Sequence, residues 1–398
     1  MKINNEKKEK FIIVGNGAAG TNACVEIRKR NLSAQVELIS TENCIGYNRP
    51  MLTKGILSRI DNPNFNIKPK NWYDENGITV TLGLTVTGID AKRKSLILSN
   101  GDVRFFDKLI LATGAISNVP PIDGVDLAGV FSIRTLSDIG SINSYLSNVK
   151  KAVVVGGGLL GLETAWEICQ AGKEVTVVQN SEFLMNRQLD TKGSEILGKI
   201  VEKAGIIIKK KSGCQKLIGE NGRVKGVILK DGSIIEADMV IFSTGIKANI
   251  ALARESGIET DRFIFVNEKM ETNMADVYAC GDCAIFDGKS FGLWSQAIDM
   301  GKVAGANAAG DDLSYKTIVP STFFNGMGTM LYSIGDPGKN PDREYTTHEV
   351  FDDEKNVYEK LYFSGGKFVG GVLIGDVKKS TRLLKAFKNE ETTVDLIP

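Results

Sequence analysis

One histidine, His348, serves the whole of this 398-residue chain. That scarcity removes most histidine-based metal sites and most histidine-dependent acid–base chemistry. Charge is nearly absent as a net quantity: 49 basic residues face 48 acidic ones, which leaves no electrostatic footprint for nucleic acid or an anionic membrane. No apolar run reaches the roughly 18–20 residues of a membrane span. The opening MKINNEKKEK is polar and charged, with no apolar core of a signal peptide, so a cytoplasmic location is expected. The six cysteines (Cys24, Cys44, Cys169, Cys214, Cys280, Cys283) form neither a secreted disulfide framework nor a four-cysteine metal site. Glycine is plentiful instead, with 43 residues, which suits tight phosphate turns more than linkers. The length predicts two or three domains, each with a core of its own.

The organising stretch is FIIVGNGAAG, residues 11–20. Four apolar residues read as a buried strand and run into Gly15-x-Gly17-x-x-Gly20, followed by a helix-compatible segment. In a Rossmann unit the glycines permit the tight turn, the approach of backbone to a pyrophosphate, and the packing of helix on strand. The anion then sits on the open N–H groups at the helix start. The chain repeats the device in KAVVVGGGLLGLETAWEI, with Gly156, Gly158 and Gly161. After the first turn a second strand ends in Ser40-Thr41-Glu42, where a dinucleotide site places a group for the adenosine ribose. Glu42 is the candidate, the alternative being a solvated loop acid.

A longer repeat supports the pairing. NGDVRFFDKLILATG (100–114) and DGSIIEADMVIFSTG (231–245) share an Asx-Gly turn, an aspartate at the eighth position, an apolar strand and a terminal Thr-Gly. Two copies of one dinucleotide-binding architecture are the economical reading. The predicted class is α/β, with two Rossmann-like domains and a small α+β C-terminal domain. The expected division is 1–118 with 245–318, then 119–244, then 319–398. A helix is predicted from Leu52, a small-residue helix over 297–310, and in the tail two strands around Ser364-Gly365-Gly366 followed by a helix carrying Leu383, Leu384 and Phe387.

Two fingerprints, Ala112-Thr113-Gly114, Ser243-Thr244-Gly245 and Tyr278-Ala279-Cys280-Gly281-Asp282 in this order resemble the FAD- and NAD(P)H-dependent pyridine-nucleotide oxidoreductases. Tyr47-x-Arg49-Pro50-x-Leu52-x-Lys54, Asn186-Arg187-Gln188-Leu189-Asp190 and the ending Gly371–Asp376 are similar to rubredoxin and ferredoxin reductases and to the flavin half of nitrite reductases. The resemblance implies that Gly15, Gly17 and Gly20 hold the FAD pyrophosphate, with Arg49 adding charge. It implies that Asp282 meets the ribityl chain beside Gly281, that Val86 meets adenine through its backbone, and that Thr113, Gly114 and Gly245 line the cofactor sites. Gly156, Gly158 and Gly161 are implied to hold the nicotinamide dinucleotide. Lys54 is expected to project toward the flavin N5/O4 edge and Glu163 to approach the same place, as a pair that tunes the flavin; two unrelated surface charges are the alternative. Trp294 stands where related reductases carry an aromatic beside the isoalloxazine, or else packs in the core.

The branch is decided by what is missing. There is no early CxxxxC pair, Cys44 falls about six residues before the position of the single redox cysteine, and Ala18 replaces the histidine that oxidases and peroxidases carry in the first fingerprint. Cys280-Gly-Asp-Cys283 has CxxC spacing, and a helix N-terminus there would lower a thiol pKa, but its inner Gly-Asp already serves the flavin. Gln179 takes the place of the acid expected after the second fingerprint, and no arginine follows closely, so NADH is favoured with NADPH possible. The expected activity passes electrons from NADH through FAD to a small iron protein, rubredoxin or a ferredoxin type. Lys378, Lys379, Arg382, Lys385 and Lys388 form a candidate docking face or a solvated helix face. Alternatives are a flavin subunit of a larger complex and a cysteine-independent NADH oxidase. No nucleic acid or membrane partner is expected, and the chain is expected to be a monomer or homodimer.

Overall fold

The computed structural model describes residues 8–54, 64–392 and 396–397, which pack as two compact units. The first draws on Met1–Met51, Ile60–Ile116 and Ile246–Ile318, and the second on Leu52–Arg59, Ser117–Gly245 and Val319–Pro398.

In the first unit a five-stranded parallel sheet runs in the order Val277–Ala279, Lys108–Leu111, Lys10–Val14, Gln35–Ser40, Ile78–Leu82. The central strand is apolar after Lys10 because it is covered on both faces, and Phe11, Ile12 and Ile13 are fully buried. The helix Ala18–Arg30 lies against the helix Trp294–Ala308, three residues longer at its start than the small-residue pattern predicts. Their approach is set by Gly301 and Gly305: a Cβ on either would lie 2.2 Å from Ala19 O or 2.4 Å from Ala23 O. An antiparallel meander, Val86–Asp90, Ser95–Leu98 and Val103–Phe105, completes this unit's sheets together with short two-stranded pairings.

The second unit repeats the plan. Its parallel sheet runs Ile207–Lys209, Glu174–Val178, Lys151–Val155, Met239–Phe242, Val130–Ser132, with the meander Cys214–Glu220, Arg223–Leu229 and Ile234–Glu236. The eighth-position aspartates have one job in both copies. Asp107 Oδ2 accepts from Lys10 N–H at 2.8 Å, and Asp238 Oδ2 from Lys151 N–H at 3.0 Å, so each fastens the start of the central strand.

The tail holds three strands more than the alternation predicts. Its antiparallel sheet runs Ser321–Gly326, Thr329–Gly335, Lys367–Ile374, Val357–Ser364, Thr346–Asp352, with the helix Ser380–Lys388 packed through Leu383, Leu384 and Phe387. The Asn186–Asp190 motif is its anchor. Ser333 Oγ donates to Gln188 O at 2.6 Å, and Tyr358 Oη donates to Asp190 Oδ2 at 2.6 Å. Asp190 Oδ1 caps the helix Thr191–Lys203 by accepting from Gly193 N–H at 2.9 Å. The helical turn expected from Leu52 begins three residues earlier and is of 3₁₀ type, Arg49–Lys54, with Pro50 tolerated in its first turn; residue 55, the end of that stretch, lies outside the described residues.

Candidate functional site

Each parallel sheet ends at a glycine turn shaped by the same two exclusions. Gly15 (φ +110°) and Gly156 (φ +119°) adopt a backbone that side chains rarely take, and a Cβ there would lie 2.1 Å from Ala112 O or 2.2 Å from Ser243 O. A Cβ on Gly20 would lie 1.8 Å from Gly15 O, and one on Gly161 1.9 Å from Gly156 O. Gly17 and Gly158 differ, because a Cβ on either meets nothing within 4 Å. That is the open space where a phosphate would sit. The helices that follow, Ala18–Arg30 and Leu159–Gln170, have no side-chain cap and no acid in the first turn. Their first N–H groups are thus left for an outside anion, which the helix dipole favours. Both cradles fit a dinucleotide pyrophosphate.

Around the first turn Glu42 binds two neighbours. Its carboxylate accepts from Arg49 Nη2 at 2.8 Å and from Tyr47 Oη at 2.7 Å. The Arg49 guanidinium lies 5.0 Å above the Tyr47 ring, which stacks on Phe65 at 5.2 Å. Burial works against the Arg49 charge, but Tyr47, Glu42 and Asp282 outweigh it, and its pKa lies above the ordinary value. Thr113 Oγ1 donates to Asn249 O at 2.7 Å, and Gly114 O accepts from Asn249 N–H at 2.9 Å. Gly281 has φ +79° and Asp282 follows it in a short 3₁₀ turn. Val86 is buried beside a bulge in the meander. Trp294 is half-buried at the start of a helix that, like the two above, has no side-chain cap.

The second unit brings Lys54 and Glu163 together. Glu163 sits on the helix that leaves the second glycine turn, buried to 4% exposure. Lys54 Nζ lies 3.5 Å from its Oε1, an ion-pair distance, although Oε1 has no hydrogen-bond partner. Thr53, which the sequence reading missed, supplies the short contact: its buried hydroxyl donates to Glu163 Oε2 at 2.6 Å. Burial pushes the Glu163 pKa up, and the Thr53 hydrogen bond and the Lys54 charge only partly oppose it.

Gln179 is occupied in holding its own loop. Its Oε1 accepts from Gly157 N–H at 2.8 Å, and its Nε2 donates to Ser181 Oγ at 2.7 Å and Phe183 O at 3.1 Å. Gly245, in the left-handed region at φ +98°, accepts from Asn118 N–H at 2.9 Å.

The two thiols of the CxxC spacing are shut away from solvent. All six cysteines are unpaired, and Cys280 and Cys283 are fully buried. Cys283 Sγ donates to Cys280 O at 3.3 Å, and burial raises both pKa values, that of Cys280 strongly. The lowered thiol pKa considered for this CxxC spacing is therefore overturned by desolvation. Cys44 is also raised, by burial and then by Glu42. Among the described residues no cluster of His, Cys, Asp and Glu is suited to a metal ion, and no helix is long and apolar enough to cross a membrane.

Residues 9–301 match the family model for pyridine nucleotide-disulphide oxidoreductases. The chain belongs to that family. FAD and NADH are this family's cofactors. Residues 320–391 match the C-terminal domain of rubredoxin NAD+ reductase. The family member is 31% identical over 387 residues to an NADH-rubredoxin oxidoreductase of Clostridium acetobutylicum, covering 97% of this chain and 96% of that one. A crystal structure of NADH:rubredoxin oxidoreductase from that organism matches with a TM-score of 0.81 at 30% identity, over 98% of both chains. It is also 34% identical over 385 residues to a nitrite reductase [NAD(P)H] of Bacillus subtilis, covering 96% of this chain and 48% of the relative. The chain thus spans about half the length of that relative, and likewise of the same organism's assimilatory nitrate reductase electron transfer subunit, at 49%.

Proposed function

We propose that the chain is a FAD-dependent NAD(P)H reductase that hands electrons to a separate small iron protein, rubredoxin first and a ferredoxin type next. The observation that carries this reading is the buried Glu163 carboxyl with Lys54 at 3.5 Å, in a chain whose cysteines are unpaired. FAD, when bound, takes two electrons from a nicotinamide together and releases them singly.

The residues of this chain bind and orient. Residues 1–118 with 245–318 would form the FAD-binding domain, 119–244 the nicotinamide-binding domain, and 319–398 the small C-terminal domain. Gly15, Gly17 and Gly20 would hold the FAD pyrophosphate and Arg49 would neutralise it. Glu42 would accept from the adenosine ribose, Val86 would meet the adenine, and Asp282 with Gly281 the ribityl chain. Thr113, Gly114 and Trp294 would border that site. Gly156, Gly158 and Gly161 would hold the nucleotide pyrophosphate, with Gln179 and Gly245 at its edges. Lys54 would supply positive charge where reduction builds negative charge, and Glu163 would hold or release a proton at Oε1. The location is taken as cytoplasmic, with no nucleic acid or membrane partner, and the assembly as monomer or homodimer.

Anaerobic stopped-flow mixing with NADH, then with oxidised rubredoxin, a ferredoxin or oxygen, tests the reading. Flavin bleaching followed by recovery faster with rubredoxin than with oxygen is expected; recovery equally slow with every acceptor counts against it. A second reading, the flavoprotein part of a larger complex, is favoured by the half-length match to the Bacillus subtilis nitrite reductase. Negligible turnover with all soluble acceptors, together with co-purification of one partner, would select it.

A further inference from the structure

One end of the antiparallel tail sheet, in the second unit, borders a cavity of about 840 Å³ to which neither glycine turn contributes. Two hairpin tips and one strand end make one wall. Met327 and Gly328, at φ +55° and +70°, turn the chain from Ser321–Gly326 into Thr329–Gly335. Asn356, at φ +49°, closes the turn before Val357–Ser364, and Gly375 N–H, just past Lys367–Ile374, donates to Met330 O at 2.8 Å. The helices Leu159–Gln170 and Thr191–Lys203 supply the other wall, through Trp166 and through Lys199 and Lys203. The volume suits a small organic molecule.

The lining is divided by chemistry. Trp166 is only half-buried, with its Cδ1 3.4 Å from where a Cβ on Gly326 would lie, and Met330 keeps 43% of its surface exposed. Against this apolar part stand four lysines, Lys199, Lys203, Lys355 and Lys378, and one acid, Asp376, in a chain whose charges otherwise balance. Lys355 lies 2.9 Å from Asp352 and Lys378 3.7 Å from Asp376, in pairs open to solvent that a stronger anion can displace. Lys199 and Lys203 have no ion-pair partner among the described residues. They stand one helical turn apart, the i,i+4 spacing at which like charges repel, so an anion between them stabilises the helix. A phosphate suits several ammonium groups at once, and a flat ring suits the open indole by stacking.

We propose that this cavity binds an organic phosphate bearing a flat ring, of mononucleotide size, at a site separate from both dinucleotide cradles. The site is independent of what the glycine turns carry. Calorimetric titration of the purified flavoprotein with UTP, uridine and tripolyphosphate tests it, with excess NAD+ present to occupy the second glycine turn. UTP should bind, uridine should give no heat, and tripolyphosphate should bind about tenfold more weakly than UTP for want of a stacked ring. Lys199→Ala and Lys203→Ala should each weaken UTP about tenfold, as loss of one charge-assisted contact provides, while the rate of flavin reduction by NADH stays unchanged. Trp166→Leu should bring UTP down to the affinity of tripolyphosphate. Absence of heat with UTP, or UTP binding untouched by both lysine variants, overturns the site. Equal binding of UTP and tripolyphosphate to the wild type overturns it as well, leaving a surface for any polyanion. Heat with rubredoxin and none with UTP, lost in the lysine variants, would make the cavity a protein-docking face instead.

Discussion

A carboxyl as enclosed as Glu163 does not titrate like a surface glutamate. Its pKa is raised, so the folded chain holds this proton more tightly than the unfolded chain does. The group therefore lowers stability as pH climbs from the ordinary carboxylate value through the raised one. Glu163→Gln removes that dependence, and urea midpoints measured against pH should show wild type losing ground to the variant across that window. Thr53→Val takes away the hydrogen bond that favours the charged form, so the inflection in the pH profile of flavin reduction should move upward, with Thr53→Ser restoring it. In Glu163→Gln the inflection should vanish and the rate should fall about 100-fold. At this scale Lys54 and Glu163 were legible because each sits in a motif. Thr53 was not, since a hydroxyl beside Lys54 has no pattern that separates a buried donor from a surface threonine.

Among the elements, the glycine turns separate packing from binding. A methyl at Gly17 meets no protein atom and φ there is −70°, so Gly17→Ala should fold normally, with an unchanged thermal midpoint, and yet lose flavin on gel filtration. Gly301→Val should do the reverse of sparing the fold: its Cβ would press on Ala19 O at 2.2 Å, and a loss of about 3 kcal/mol in denaturant titration is expected. The turns could be read from sequence because their constraints are local, the clash partners Ala112 and Ser243 lying in the repeated Thr-Gly endings. The strand Thr346–Asp352 could not, because most of it is exposed and it lacks the alternation that marks a half-buried strand. The 3₁₀ turn at Arg49–Lys54 escaped for a related reason, as Pro50 reads as a breaker until its place in the first turn is known.

For the whole molecule, the tail cations bear on the choice of partner. Lys378, Lys379 and Arg382 are ion-paired with Asp376, Glu359 and Glu391. Steering of an acidic acceptor by this helix then falls to Lys385 and Lys388, and a double alanine variant should flatten the salt dependence of the second-order rate with rubredoxin. The proposed electron path uses flavin and no sulfur. Anaerobic titration with NADH, followed by absorbance, counts the electrons each chain accepts. Full reduction by one NADH per flavin is predicted, since a flavin is a two-electron centre. Uptake of a second NADH per flavin, as a redox-active cysteine pair would require, would contradict it.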